Sequence, residues 1–175
     1  IEIRGSILED VFTKASSITQ GATKELVSRM AKRMAEGGDF LQEWSHAVNE
    51  VYRKMGGQYK GNSGKLLVNG KNVQSPVKLL ETGVYPGFPT DLQSPVMAVL
   101  STIEGESCIR EMVFEDRYKA ADQLLKMGAR SRVQGNEAVI CGVKTLHGAA
   151  VQAQELRGGA ALILAALGAK GVTVL

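Results

Sequence analysis

Three side chains in this sequence are of types that can do acid–base or anion chemistry, each with a plain structural alternative: Asp91, Arg117 and Arg157. Asp91 lies in Tyr85-Pro86-Gly87-Phe88-Pro89-Thr90-Asp91-Leu92-Gln93-Ser94-Pro95, where two prolines and a glycine stiffen the first half. Thr90 or Asp91 stands where a helix N-cap belongs, just ahead of the apolar run Val96-Met97-Ala98-Val99-Leu100. A carboxylate so placed either caps the helix or is held out rigidly for a functional task, and pattern alone leaves both open. The backbone N–H groups of that helix start could also face an anion. Arg157 comes two residues into another helix start, where the positive end of the helix dipole disfavours a cation unless an anion or carboxylate meets it. Arg117 follows Glu115 and Asp116, so it makes a surface ion pair worth under about 1 kcal/mol or it meets a ligand. The planar guanidinium fork suits carboxylate and phosphate alike.

The other reactive residue types form no constellation. His46 and His147 have no partner at a catalytic or ligand spacing, and Cys108 and Cys141 share no metal-ligand spacing. Both cysteines sit in apolar runs, and buried reduced thiols of a cytoplasmic protein are expected. No metal and no cofactor are expected. With 44% hydrophobic and 22% charged residues the chain has the composition of an ordinary globular protein. No apolar run approaches the roughly 18 residues of a membrane span. A net charge of +3 and 5% aromatics suit a binder of small anions better than a nucleic-acid protein. The chain opens on Ile1-Glu2-Ile3-Arg4 without a methionine and is expected to be a piece of something larger.

The elements that must position these residues are legible from internal repetition. Lys54-Met55-Gly56 recurs as Lys126-Met127-Gly128, a shift of 72, and Gly70 recurs as Gly142 at the same shift. Between them each copy reads as a helix end, a turn, a short strand (residues 65–68 and 138–141) and a glycine turn. Asp91-Leu92-Gln93 then answers to Glu155-Leu156-Arg157 at a shift of 64, so the first copy carries eight more residues before its second helix. That surplus is the proline-rich loop. A third match, Ile3-Arg4 with Ile109-Arg110 and residues 7–10 with Val113-Phe114-Glu115-Asp116, has a shift of 106; against 72 it leaves 34 extra residues between Val11 and Val51. Apolar residues at 22, 26, 27, 30, 31 and 34, with Lys24, Arg29, Lys32 and Arg33 opposite, predict a helix there, ended by Gly37-Gly38. The unit is strand, helix, strand, strand, helix. Copies begin at residues 1–4 and 107–111, and residues 172–175 start a third. Such alternation predicts an α/β layered fold, and small-residue helices such as Gly158-Gly159-Ala160-Ala161 are expected to be buried.

Together these motifs resemble the enolpyruvyl transferase family. They are Pro86-Gly87-Phe88-Pro89-Thr90-Asp91-Leu92-Gln93, Val113-Phe114-Glu115-Asp116-Arg117-Tyr118, the Met-Gly-Ala ending at residues 127–129, and Glu155-Leu156-Arg157 with its helix. The likeness runs from about Ser45 to Leu175, with residues 1–12 besides. It is nearer the branch that acts on UDP-N-acetylglucosamine than the branch that acts on shikimate phosphate. The fold implied is an inverted α/β barrel: repeated strand-helix units with helices inside and sheets outside. The chain is expected to be one such domain or part of one, with a helical insertion at about 16–49.

The activity implied is transfer of the enolpyruvyl group of phosphoenolpyruvate to the 3-hydroxyl of UDP-N-acetylglucosamine in cytoplasmic peptidoglycan synthesis. The resemblance makes Asp91 the base, puts Arg117 and Arg157 near the reacting anions, gives Thr90 a substrate contact, and sets Val113 and Phe114 against the uridine. Several family segments are missing: the opening lysine-asparagine segment, the mobile loop with its reactive cysteine and arginine, and the terminal arginine segment. The substrates would therefore be held together with an absent domain, and the chain alone is expected to be inactive. The insertion, Glu155 for the family's aspartate, and Gly158-Gly159-Ala160-Ala161 for a serine-containing run are departures. A different reading is a non-catalytic, dissected or engineered domain whose basic inserted helix serves binding or assembly.

Overall fold

The structure, a computed structural model, describes residues 46–62 and 65–175. The expected first strand at 1–4 and the helix at 22–36 lie outside these residues, as does the insertion apart from its last positions. The chain divides into two compact units; Gln58–Gly70 belongs to one, and Ala47–Gly57 with Lys71–Leu175 forms the other. In the former, β1 (Gln58–Asn62) and β2 (Lys65–Asn69) pair antiparallel, Gln58 opposite Asn69.

The other unit contains α1 (His46–Lys54) from Ala47 onward, β3 (Leu80–Glu81), a 3-10 turn (Thr90–Leu92), α2 (Gln93–Leu100), β4 (Gly105–Arg110), α3 (Lys119–Lys126), β5 (Arg130–Gln134), β6 (Glu137–Gly142) and α4 (Leu156–Gly168). Its four-stranded sheet runs β3-β4-β6-β5, parallel at β3–β4 and antiparallel elsewhere. Alternation along β4 and β6 buries Ser107, Ile109, Ala138 and Ile140. The same alternation corrects the expectation for the cysteines. Cys108 and Cys141 fall on the opposite face, where Cys141 pairs with Glu106 and is exposed, while Cys108 is half-buried and burial pushes its thiol pKa up.

Helix α4 packs against α2 and α3. Its Gly158, Gly159, Ala161, Leu162 and Ala165 are buried, and a Cβ on Gly158 would stand 2.9 Å from Glu155 Oε1 and 3.6 Å from the Ala120 methyl. The small-residue helix is thus buried on one face only; Leu156, Ile163, Leu164 and Leu167 are exposed.

The two copies repeat in detail. Gly56 and Gly128 lie in the left-handed region at φ +94° and +88°. Gly56 N donates to Arg53 O and Gly57 N to Tyr52 O; Gly128 N donates to Leu125 O and Ala129 N to Leu124 O. Each helix therefore closes with the same paired bonds around a left-handed glycine. Residues 65–68 and 138–141 both fall in the second strand of an antiparallel pair, β2 and β6. The third copy's strand does not form a ladder: Val174 makes an isolated bridge with Ala150.

Candidate active site

The proline-rich loop is tied at both ends. Before it, Thr82 bridges to Phe88 and Gly83 N donates to Phe88 O at 2.9 Å; after it, Leu92 N donates to Pro89 O at 3.0 Å, closing the 3-10 turn. The side chains of Thr90 and Asp91 do not cap α2, which corrects the N-cap expectation. The residue flanking α2 is Leu92, that flanking the 3-10 turn is Pro89, and neither makes a side-chain capping bond. The reason is competition from elsewhere in the fold: Thr90 Oγ1 donates to Glu111 Oε2 at 2.8 Å, and Asp91 Oδ1 accepts from Arg157 Nε.

Arg157 reaches Asp91 from the first turn of α4. Its neighbour Glu155 is the N-cap, in extended backbone, with Oε1 accepting from Gly158 N and Oε2 accepting from Arg157 N at 3.1 Å. Glu155 Oε2 also stands 3.7 Å from Arg157 Nη1. Two carboxylates thus offset the cation at this helix start, as dipole reasoning requires. Asp91 remains 63% exposed at its side chain and Arg157 38%, so the pair is open to solvent.

Val113, Phe114 and Arg117 lie on the turn that follows β4. That turn, with Gly135 and Asn136 of the β5–β6 connection, lines a groove of about 720 Å³. Val113 N and Phe114 N donate to Glu111 Oε1 at 2.9 and 3.1 Å, and the Phe114 ring is 52% exposed. Among the described residues Arg117 does not take up the surface ion pair weighed for it. Its guanidinium lies over the Phe114 ring, 4.3 Å from the centroid, while Asp116, at φ +54°, pairs with Lys119 at 3.1 Å. The structure therefore joins Asp91 to Arg157 and Phe114 to Arg117, two contacts that share no residue.

Residues not singled out from the sequence hold the groove together. Glu111 N donates to Asn136 O at 2.8 Å and Asn136 Nδ2 to Glu111 O at 3.1 Å. Tyr118 Oη donates between Ile109 O (2.9 Å) and Asn136 O (3.0 Å), and burial, then the Glu111 charge, pushes its phenol pKa far up. The only sequence signal for Glu111 is an acid directly after a strand whose inward positions are small or apolar. Among the described residues no group of three or more His, Cys, Asp or Glu side chains is placed to hold a metal ion, and no helix is long and apolar enough to cross a membrane.

Proteins similar to this chain fall in one group. The sequence pattern of EPSP synthase (3-phosphoshikimate 1-carboxyvinyltransferase) matches residues 18–175. A UDP-N-acetylglucosamine 1-carboxyvinyltransferase of Desulfofundulus thermocisternus is 47% identical over 121 residues, 69% of this chain and 49% of that protein. UDP-N-acetylglucosamine 1-carboxyvinyltransferase 2 of Caldanaerobacter subterraneus is 42% identical over 134 residues, 77% of this chain and 32% of that protein. Among solved structures, the enolpyruvyl transferase NikO from Streptomyces tendae superposes with a TM-score of 0.60 at 27% identity, over 70% of this chain and 28% of that one. The chain spans less than half the length of each.

Proposed function

The chain belongs to the EPSP synthase (3-phosphoshikimate 1-carboxyvinyltransferase) family, and from that premise we propose that it forms one wall of an enolpyruvyl transferase active site. The acceptor is the 3-hydroxyl of UDP-N-acetylglucosamine and the donor is phosphoenolpyruvate, in the cytoplasmic synthesis of peptidoglycan precursors. The observation that carries this reading is the solvent-open Asp91 carboxylate, set on a tied loop and paired with Arg157.

Asp91 takes the proton of the attacking hydroxyl, a task that needs a carboxylate at hydrogen-bond reach and a fixed direction. The hydroxyl oxygen bonds to C2 of phosphoenolpyruvate as its C3 gains a proton. C3 then gives up a proton as the C2–O bond to phosphate breaks, which leaves an enol ether and free phosphate. Arg157 and Arg117 supply cations for the carboxylate and phosphate groups, Thr90 keeps the Asp91 turn in register, and Val113 and Phe114 line the uridine side of the groove. The remaining charges come from the length of the relatives that this chain does not span.

The test is phosphate release from phosphoenolpyruvate by the full-length transferase that contains these residues. Release that depends on UDP-N-acetylglucosamine, and is absent with shikimate 3-phosphate, is the expected result. The opposite acceptor preference, or release with neither, overturns the assignment.

A further inference from the structure

Glu111 is the most densely bonded polar side chain in the described structure, and no catalytic task falls to it. It is 2% exposed and directly follows β4. Its Oε1 accepts from Thr82 Oγ1 (2.8 Å), Val113 N (2.9 Å) and Phe114 N (3.1 Å), and its Oε2 accepts from Thr90 Oγ1 (2.8 Å). Thr82 Oγ1 in turn accepts from Met112 N at 2.9 Å. These donors come from both ends of the proline-rich loop and from the turn after β4. The side chain next to Thr90 is Asp91; the side chains of Val113 and Phe114, whose backbone N–H groups are two of the other donors, line the groove.

We propose that Glu111 is a positioning residue that sets the Asp91 turn and the Val113-Phe114 turn in register with each other. One rigid carboxylate spans both, so the base and the nucleotide wall hold a fixed separation. The inference rests on the transferase reading above. It also accounts for Thr90: its hydroxyl points at Glu111, so its contribution is to hold Asp91 in place rather than to touch substrate.

The role depends on reach and accepting oxygens, and it makes an order of variants. Glu111→Gln keeps the length and one accepting oxygen for the three Oε1 donors; its NH₂ meets a Thr90 hydroxyl that turns round to accept. Glu111→Asp keeps the charge but is one methylene too short to bridge both turns. In the full-length transferase, Glu111→Gln is expected within about threefold of the parent kcat. Glu111→Asp is expected to lose about 10- to 10²-fold in kcat, the scale of a displaced reacting group, and to raise KM for UDP-N-acetylglucosamine.

Thr90→Val releases only the Asp91 side, so kcat falls while KM for UDP-N-acetylglucosamine stays at the parent value, and Thr90→Ser restores turnover. This second pair decides the matter even where Glu111→Asp does not fold. Gln as damaging as Asp would make the charge, not the reach, the active feature and overturn the proposal. Unchanged kcat in the Thr90→Val enzyme, or a raised KM for UDP-N-acetylglucosamine, overturns it equally. Lowered melting temperatures with unaltered kcat reduce Glu111 to a fold-stabilising residue, also against the proposal. An unmodified enzyme that transfers nothing refutes the transferase reading itself, an outcome distinct from all of these.

Discussion

The Asp91 carboxylate and the Arg157 guanidinium, 66 residues apart in sequence, meet across the starts of two helices. Neither helix needs the contact to form: α4 has its own cap in Glu155, and α2 starts from a 3-10 turn. The pair is a product of how α2 packs against α4, and it leaves the carboxylate in solvent.

Because Asp91 caps nothing, Asp91→Ala should cost the fold little. An exposed pair of this kind is worth about 1 kcal/mol or less, and urea denaturation of this chain should register no more than that. In the full-length transferase, Asp91→Asn should lower kcat by about 10²–10⁴-fold, the usual worth of a positioned general base. Full turnover by the Asn variant would remove Asp91 from the chemistry.

Glu155 behaves in the opposite way. Its carboxylate accepts from Gly158 N and Arg157 N at the head of α4, so Glu155→Ala should destabilise the chain by about 1 kcal/mol, within a range of about 0.5–2 kcal/mol. A melting curve identical to the parent's would show that the helix start is held by other means.

Several of these features could be read from residue order and several could not, for a physical reason. Met55-Gly56 and Met127-Gly128 announce themselves because a left-handed helix ending is a local demand that glycine meets. The α/β alternation, the hairpin strands and the surplus loop were legible on the same ground. Thr90 and Asp91 misled as caps because their actual partners, Glu111 and Arg157, come from distant segments that out-compete the neighbouring N–H groups. Cys141 misled because an apolar run in a one-sided sheet still alternates. Glu111 was invisible for the first of these reasons in stronger form: its value lies in four donors that only the folded chain collects.

The two equivalent glycines should respond unequally to the same change. At Gly128 an added Cβ finds its nearest neighbour, His147 Cδ2, at 3.5 Å, so Gly128→Ala carries only the left-handed penalty of about 1–2 kcal/mol. At Gly56 it would come 2.1 Å from the Asn72 carbonyl oxygen, and the backbone itself must move. Gly56→Ala should therefore lower the urea midpoint further than Gly128→Ala; the reverse order would contradict the packing described.

Tyr118 gives the chain an alkaline limit. Its folded pKa is raised by burial and then by Glu111, so below the ordinary phenol value of about 10 its contribution is complete. Above that value the unfolded chain releases the proton and the folded chain keeps it, and stability falls by up to about 1.4 kcal/mol per pH unit. Denaturation of Tyr118→Phe should lack this share of the decline between pH 10 and 11, though it starts from about 1 kcal/mol lower for the lost hydrogen bond. Equal slopes for the two proteins would mean that the hydroxyl ionises as freely folded as unfolded.

The unequal loops before α2 and α4 give the molecule a division of labour between twins. The shorter-looped copy keeps its acid at home, closing its own helix. The longer-looped copy sends the corresponding acid outward and starts its helix from a 3-10 turn with no side-chain cap. The eight extra residues supply that freedom: with the 3-10 turn at the head of α2, the carboxylate is released from local duty and stands in solvent.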